Sequence, residues 1–120
     1  MKNNSRRRTP GKRPNKATRA WIAPVFVAVV TGATFLPVLW NQFVEWDDYE
    51  NLISNVHYRG LGWSQLRWMF TTFHLGPYQP LSWVTLGLDY LIWGMNPVGY
   101  HLTNLIFHAA NAVFFFIPWE

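Results

Sequence analysis

Residues 21–40 read WIAPVFVAVVTGATFLPVLW, twenty positions without a charge and with tryptophan at each end. An α-helix of that length reaches roughly 30 Å, the thickness of a bilayer's hydrocarbon core, and terminal tryptophans belong at the headgroup layers. Pro24 falls in the first turn, where a missing amide proton is tolerated, and Pro37 is placed to bend or end the helix. A cleaved signal peptide would carry a shorter apolar run and small residues before the cut, whereas Asn41, Gln42 and Phe43 follow here. The segment therefore reads as an uncleaved transmembrane anchor.

Upstream lie Lys2, Arg6, Arg7, Arg8, Lys12, Arg13, Lys16 and Arg19 with no acid, while the remaining chain holds Arg59 and Arg67 against six acids. A tail this basic, with no apolar periodicity, is expected to be disordered over residues 1–20. A nucleic-acid-binding arm is one reading. The adjoining apolar run favours the other, a positive-inside signal that keeps the tail cytoplasmic and sends the following residues to the exoplasmic side. Half of the residues are apolar or aromatic, more than a small soluble core needs, which favours lipid-facing helices. With no cysteine, disulfide staples and thiolate metal sites are excluded.

Downstream, Glu45-Trp46-Asp47-Asp48-Tyr49-Glu50-Asn51 holds four of the six acids just where the apolar run ends. Asp47 and Glu50 have capping-box spacing, predicting a short helix to about Ile53. Gly60 and Gly62 punctuate a loop, and Ser64 is placed to cap a helix to about Phe73 that suits a membrane surface, with Arg67 snorkelling. After a turn rich in proline and glycine, Pro80 starts PLSWVTLGLDYLIW, which Gly94 ends. Its roughly 21 Å is short for a span, so it is expected to be interfacial or re-entrant, with Ser82, Thr85 and Asp89 on one side. Residues 41–95 are thus one exoplasmic loop.

Asn96-Pro97 is a helix start, and residues 96–118 are read as a second transmembrane helix. His101, Asn104, His108 and Asn111 fall within about 80° of arc on it and should face other helices or a wet cavity. Interhelical hydrogen bonding is the plainer role for the two histidines and substrate contact the other. The chain offers nothing to cover that stripe, so further membrane helices of this or another chain are expected as partners.

Adjacent carboxylates above a membrane can act as general base towards a hydroxyl, hold a divalent cation, or cap a helix. Asp47 can do either job; Asp48, which the cap does not need, is the stronger chemical candidate. The stretches FVEWDDYENL and LRWMFTTFHLGPYQPLSWVTLGLDYLIWGMNPVGYHLTNLIFHAANAVFFF resemble the amino-terminal region of bacterial relatives of the transmembrane and tetratricopeptide-repeat O-mannosyltransferases, polytopic GT-C glycosyltransferases. The carrying features are Asp-Asp after the first helix, a Tyr-x-Pro-Leu turn and Gly-Tyr-His-Leu-x-Asn-x-x-x-His.

The resemblance implies that Asp47 and Asp48 are catalytic. It also implies that a polyprenyl- or dolichyl-phosphate sugar is the donor, an acceptor hydroxyl on the exoplasmic side its target, and the bacterial inner membrane the location. Arg59, Arg67 and His74 are candidates for the lipid phosphate on charge alone, and no metal is assumed. The family has many more membrane helices and usually a tetratricopeptide-repeat array, so these 120 residues are expected to be a fragment, silent alone. The expectation is an all-α membrane protein, two transmembrane helices joined by a helical exoplasmic loop, at the start of a GT-C fold. The alternative is a non-catalytic membrane anchor or interaction subunit.

Overall fold

The computed structural model describes residues 20–117, and the basic tail lies outside them. These residues fold as helices and connecting turns. The first, α1, spans Ile22–Phe35 and continues as a 3-10 helix, Leu36–Trp40. Pro37 explains the change: with no amide proton to give the Ala33 carbonyl, the chain tightens instead of stopping. At the rises of the two helix types the pair reaches roughly 31 Å.

Of this segment only Pro24 is buried, and its phenylalanines, its tryptophans and three of its five valines stay exposed. A soluble protein's core helix would hide them; lipid would not require it. Ile22–Trp40 is also the one helix among the described residues that is long and apolar enough to cross a membrane.

The acidic stretch forms a wide π-helical turn, Tyr49–Ile53, closed by the Ser54 amide on the Tyr49 carbonyl at 2.8 Å. The expected capping box is absent. Asp48, not Asp47, stands at the cap position, and no side chain caps the turn. Glu50 instead faces the Ser54 hydroxyl through its own carbonyl and carboxylate.

Helix α2, Trp63–Thr71, starts at Gly62 and ends before Phe73. Ser64 does not cap it: the helix begins one residue earlier, with Gly62 at the cap position, and the Ser64 hydroxyl donates to the Gln65 carboxamide at 2.8 Å. Helix α3, Pro80–Trp93, begins and ends where proline and Gly94 predict. In α4, Pro97–Phe116, the Asn96 side chain accepts from the Val98 amide at 3.2 Å, so the expected cap is present. Twenty residues give α4 a reach of roughly 30 Å, but its histidines and asparagines leave it less apolar than α1. A second span is therefore not established by length and composition.

The core sits in the loop region rather than between the long helices. Leu52, Tyr58, Met69, Trp83 and Tyr100 form it, with Phe43, Leu66, Trp68 and Tyr90 packed around. Tyr100 donates to the Gly94 carbonyl at 3.0 Å, and its hydroxyl lies 3.1 Å from that of Tyr58, tying the start of α4 to the loop. Burial raises the Tyr58 phenol above its ordinary pKa, so it stays a neutral hydrogen-bonding group.

Gly87 lets α3 close on this loop: a Cβ there would meet the Gly60 and Tyr58 carbonyls at 2.8 and 2.9 Å. Helix α4 packs along α1 and the 3-10 helix, and α3 joins α2 to α4.

Candidate functional site

Asp47 and Asp48 enter the π-helical turn side by side but meet different surroundings. The Asp48 carboxylate accepts from the Val44 amide at 3.0 Å, which fixes its position. Asp47 is exposed, with no side-chain hydrogen bond to another described residue. This reverses the expected division, in which Asp47 held the backbone and Asp48 was free.

Each aspartate lines its own cleft. The inner one, about 230 Å³, is lined by Asp48, Ser82, Trp83, Tyr100, His101 and Asn104 among others. The outer one, about 350 Å³, holds Asp47, His74, Leu75 and Pro77. Asn51 and Gln79 line both, so the two clefts share a wall. Asn51 was detectable from sequence, because it follows Asp47 and Asp48 at helical spacings of four and three. Gln79 and Trp83 gave no such signal, since they arrive from α3 and the turn before it, whereas Ser82 lies on the polar side of α3 that the sequence marks.

Two residues on the wall of the inner cleft each carry a buried polar atom without a partner among the described residues. Trp83 Nε1, on a fully buried ring, and His101 Nε2 find no hydrogen bond within the described structure. Buried donors and acceptors are nearly always satisfied, and orphans in a native fold call for water or a ligand. A carboxylate, carboxamides, a hydroxyl and an imidazole lining one small cleft form a wall suited to a polyhydroxyl compound.

Beyond His101 and Asn104 runs a groove of about 290 Å³, closed on its other sides by Phe35, Val38, Leu105 and His108. His101 and Asn104 line both hollows, so the polar stripe leads from the acidic cleft down between α4 and α1. Asn111 lines neither. The interhelical hydrogen bonds expected of the histidines are absent among the described residues: His108 packs edge-on against Phe35 at 4.8 Å. The bond joining α3 and α4 is instead Thr103 to the buried Asp89, at 2.5 Å.

The three phosphate candidates separate. His74 lines the Asp47 cleft, wedged edge-on against Trp68 and Trp83 at 5.7 and 5.5 Å, with Nε2 3.3 Å from the Glu50 carbonyl. Arg59 is engaged elsewhere, donating to the Leu52 and Ile53 carbonyls at 3.3 and 2.7 Å and lying over the Tyr90 ring. Arg67 lies in a separate hollow with His57 and Trp63. Among the described residues no three histidines, cysteines or carboxylates come together as a metal site requires.

The chain is similar to an O-mannosyl-transferase over a short stretch. Thirty-eight residues, 32% of the chain, are 47% identical to protein O-mannosyl-transferase TMTC3 of Homo sapiens. They are 45% identical to the same protein of Mus musculus. The matched stretch spans only about 4% of the length of either relative. No protein-family profile matches the chain, and no solved structure does. The likeness supports a relation to that family at most, and it does not bear on a bacterial source.

Proposed function

We propose that this chain supplies the first membrane helix and the acidic loop of a glycosyltransferase bundle that moves a sugar from a lipid-phosphate carrier to an acceptor hydroxyl. The observation that carries the reading is the inner cleft, where a fixed Asp48 carboxylate shares walls with Trp83 and His101, residues whose buried Nε1 and Nε2 lack partners among the described residues. The short similarity to O-mannosyl-transferases supports the same chemistry.

In this reading the acceptor oxygen attacks the sugar's anomeric carbon and its proton passes to a carboxylate. The bond from that carbon to the carrier phosphate breaks, and the phosphate leaves as an anion. Asp48, already held by one hydrogen bond, is the carboxylate placed to take the proton, and general-base help of this kind is worth about 10² to 10⁴ in rate. Asp47 and His74, which line the outer cleft together, handle the acceptor and the phosphate. The carrier's chain follows the groove lined by Phe35, Val38 and Leu105 into the membrane. Further membrane helices complete the pocket, with α4 as the second span, the basic tail cytoplasmic and the acidic loop exoplasmic.

The test is transfer of a labelled sugar from a polyprenyl-phosphate donor by a complete bundle carrying this region. Asp48→Asn is expected to lower transfer at least a hundredfold while membrane insertion is kept; unchanged transfer removes Asp48 from the chemistry.

A second reading is a non-catalytic anchor or interaction subunit. It is favoured by the exposed Asn104, His108 and Asn111 on α4, polar groups that need partners if that helix lies in lipid. Tolerance of Asp48→Asn together with crosslinks from position 108 to another protein would select it.

A further inference from the structure

We infer that the hollow around Arg67 is a binding site for the phosphate headgroup of an anionic phospholipid in the leaflet beside the loop. It is separate from the acidic clefts. The hollow, about 430 Å³, is lined by His57, Trp63, Ser64, Arg67, Trp68 and Thr71. Its polar side chains are the Arg67 guanidinium, the His57 imidazole, two indoles and two hydroxyls whose protons already go to Gln65 and to the Arg67 carbonyl, so the guanidinium is its main donor and no carboxylate lines it.

Arg59 and Arg67 are the two arginines among the described residues, and only Arg59 is engaged by the fold. Arg67 contributes only its backbone: Thr71 donates to its carbonyl at 2.7 Å, while the guanidinium has no hydrogen-bond or carboxylate partner among the described residues. A planar guanidinium with free donors matches a phosphate, which accepts two of them side by side.

The surroundings point to a lipid rather than a soluble anion. Helix α2 contains no acid. Trp63 is 82% exposed, Phe70 49% and Phe73 67%. Trp63, Arg67 and Phe70 recur at helical spacing, so aromatic rings flank the cation on one face. Exposed aromatics around a snorkelling arginine make a face that inserts rings at headgroup depth and leaves the charge among phosphates. The inference rests on the membrane anchor in α1 and not on sugar transfer, so it stands even if the acidic cleft is catalytically inert.

The experiment is native mass spectrometry of the full chain in neutral detergent, with equal amounts of phosphatidylglycerol and phosphatidylcholine of matched acyl chains. Wild type is expected to retain phosphatidylglycerol preferentially, and Arg67→Gln to lower that preference about fivefold, the effect of one basic residue at an anionic surface. Arg67→Lys should keep part of it. The amino-terminal tail is common to all three proteins and cancels. Because Arg67 is exposed, unchanged helical circular dichroism is expected for both variants. Equal preference in wild type and Arg67→Gln overturns the site. Loss of the wild-type preference on adding inorganic phosphate at about 10 mM overturns the lipid in favour of a soluble anion.

Discussion

Asp48 holds the Val44 amide at 3.0 Å, so the second aspartate of the acidic pair pins the strand of chain that leaves the membrane helix. The same side chain lines the inner cleft. Support of the loop and chemistry in the cleft can therefore be separated by choosing the substitution. Asp48→Ala removes a charged acceptor and is expected to lower stability by about 1 kcal/mol, read as a fall in melting temperature in detergent. Asp47→Ala breaks no bond and should stay within about 0.5 kcal/mol of wild type. Equal shifts for the two would show that the Val44 contact holds nothing.

Arg59 and Arg67 carry the same charge and differ in what they touch. Arg59 grips two carbonyls at the end of the π-helical turn, where partial negative charge gathers. Arg59→Met, which keeps the apolar stem, is expected to destabilise by about 1–2 kcal/mol. Arg67→Met should leave the melting temperature where it is, and thermal denaturation of the two variants side by side decides it.

Gly87 stands where a methyl group would press on two backbone carbonyls and the end of Met69, all at 2.8 to 2.9 Å. Backbone oxygens cannot swing aside as a long side chain can. Gly87→Ala is expected to push α3 off the loop at about 1–3 kcal/mol, the usual penalty for overpacking. Hydrogen exchange at residues 58–60 would speed up if the two segments separate, and unaltered protection there would contradict the close approach.

Asp89 is buried and its carboxyl is pushed above the ordinary value of 3.8 by loss of water, with the Thr103 hydroxyl opposing the shift. The folded chain thus keeps this proton to a higher pH than the unfolded chain does. Stability from this group is full below 3.8, is lost as pH rises through the raised value, and is then level. Asp89→Asn still accepts from Thr103 but has nothing to titrate, so its stability profile should be flatter over that window. An unchanged slope in urea melts across the window would assign the titration to another group.

Much of the helix layout was legible because it depends on neighbours in sequence. Asn96 with Pro97 starts α4, Pro80 starts α3 and Gly94 ends it, since a missing amide proton or a positive φ acts within one turn. The capping box at Asp47 and the Ser64 cap do not form, because a cap depends on which residue starts the helix. Each helix begins one residue away from the place its cap needs: Asp48 stands at the cap of the first turn and takes the Val44 amide, and Ser64 lies inside α2, donating to Gln65.

The sequence by itself determined that a charge-free helix edged with tryptophan follows a basic tail, and that acidic residues emerge at its far end. Those properties are sums over local side chains, and no packing alters them. Only the tertiary structure decided that Asp48 shares a cleft with His101 and Trp83, that Asp47 and His74 line another, and that Arg59 is engaged while the Arg67 guanidinium has no partner among the described residues. These pairings join residues far apart along the chain, and they exist because the Tyr58 and Trp83 core draws α3 and the start of α4 onto the acidic loop. A spacing rule reaches one helical turn; burying that core reaches across the whole loop.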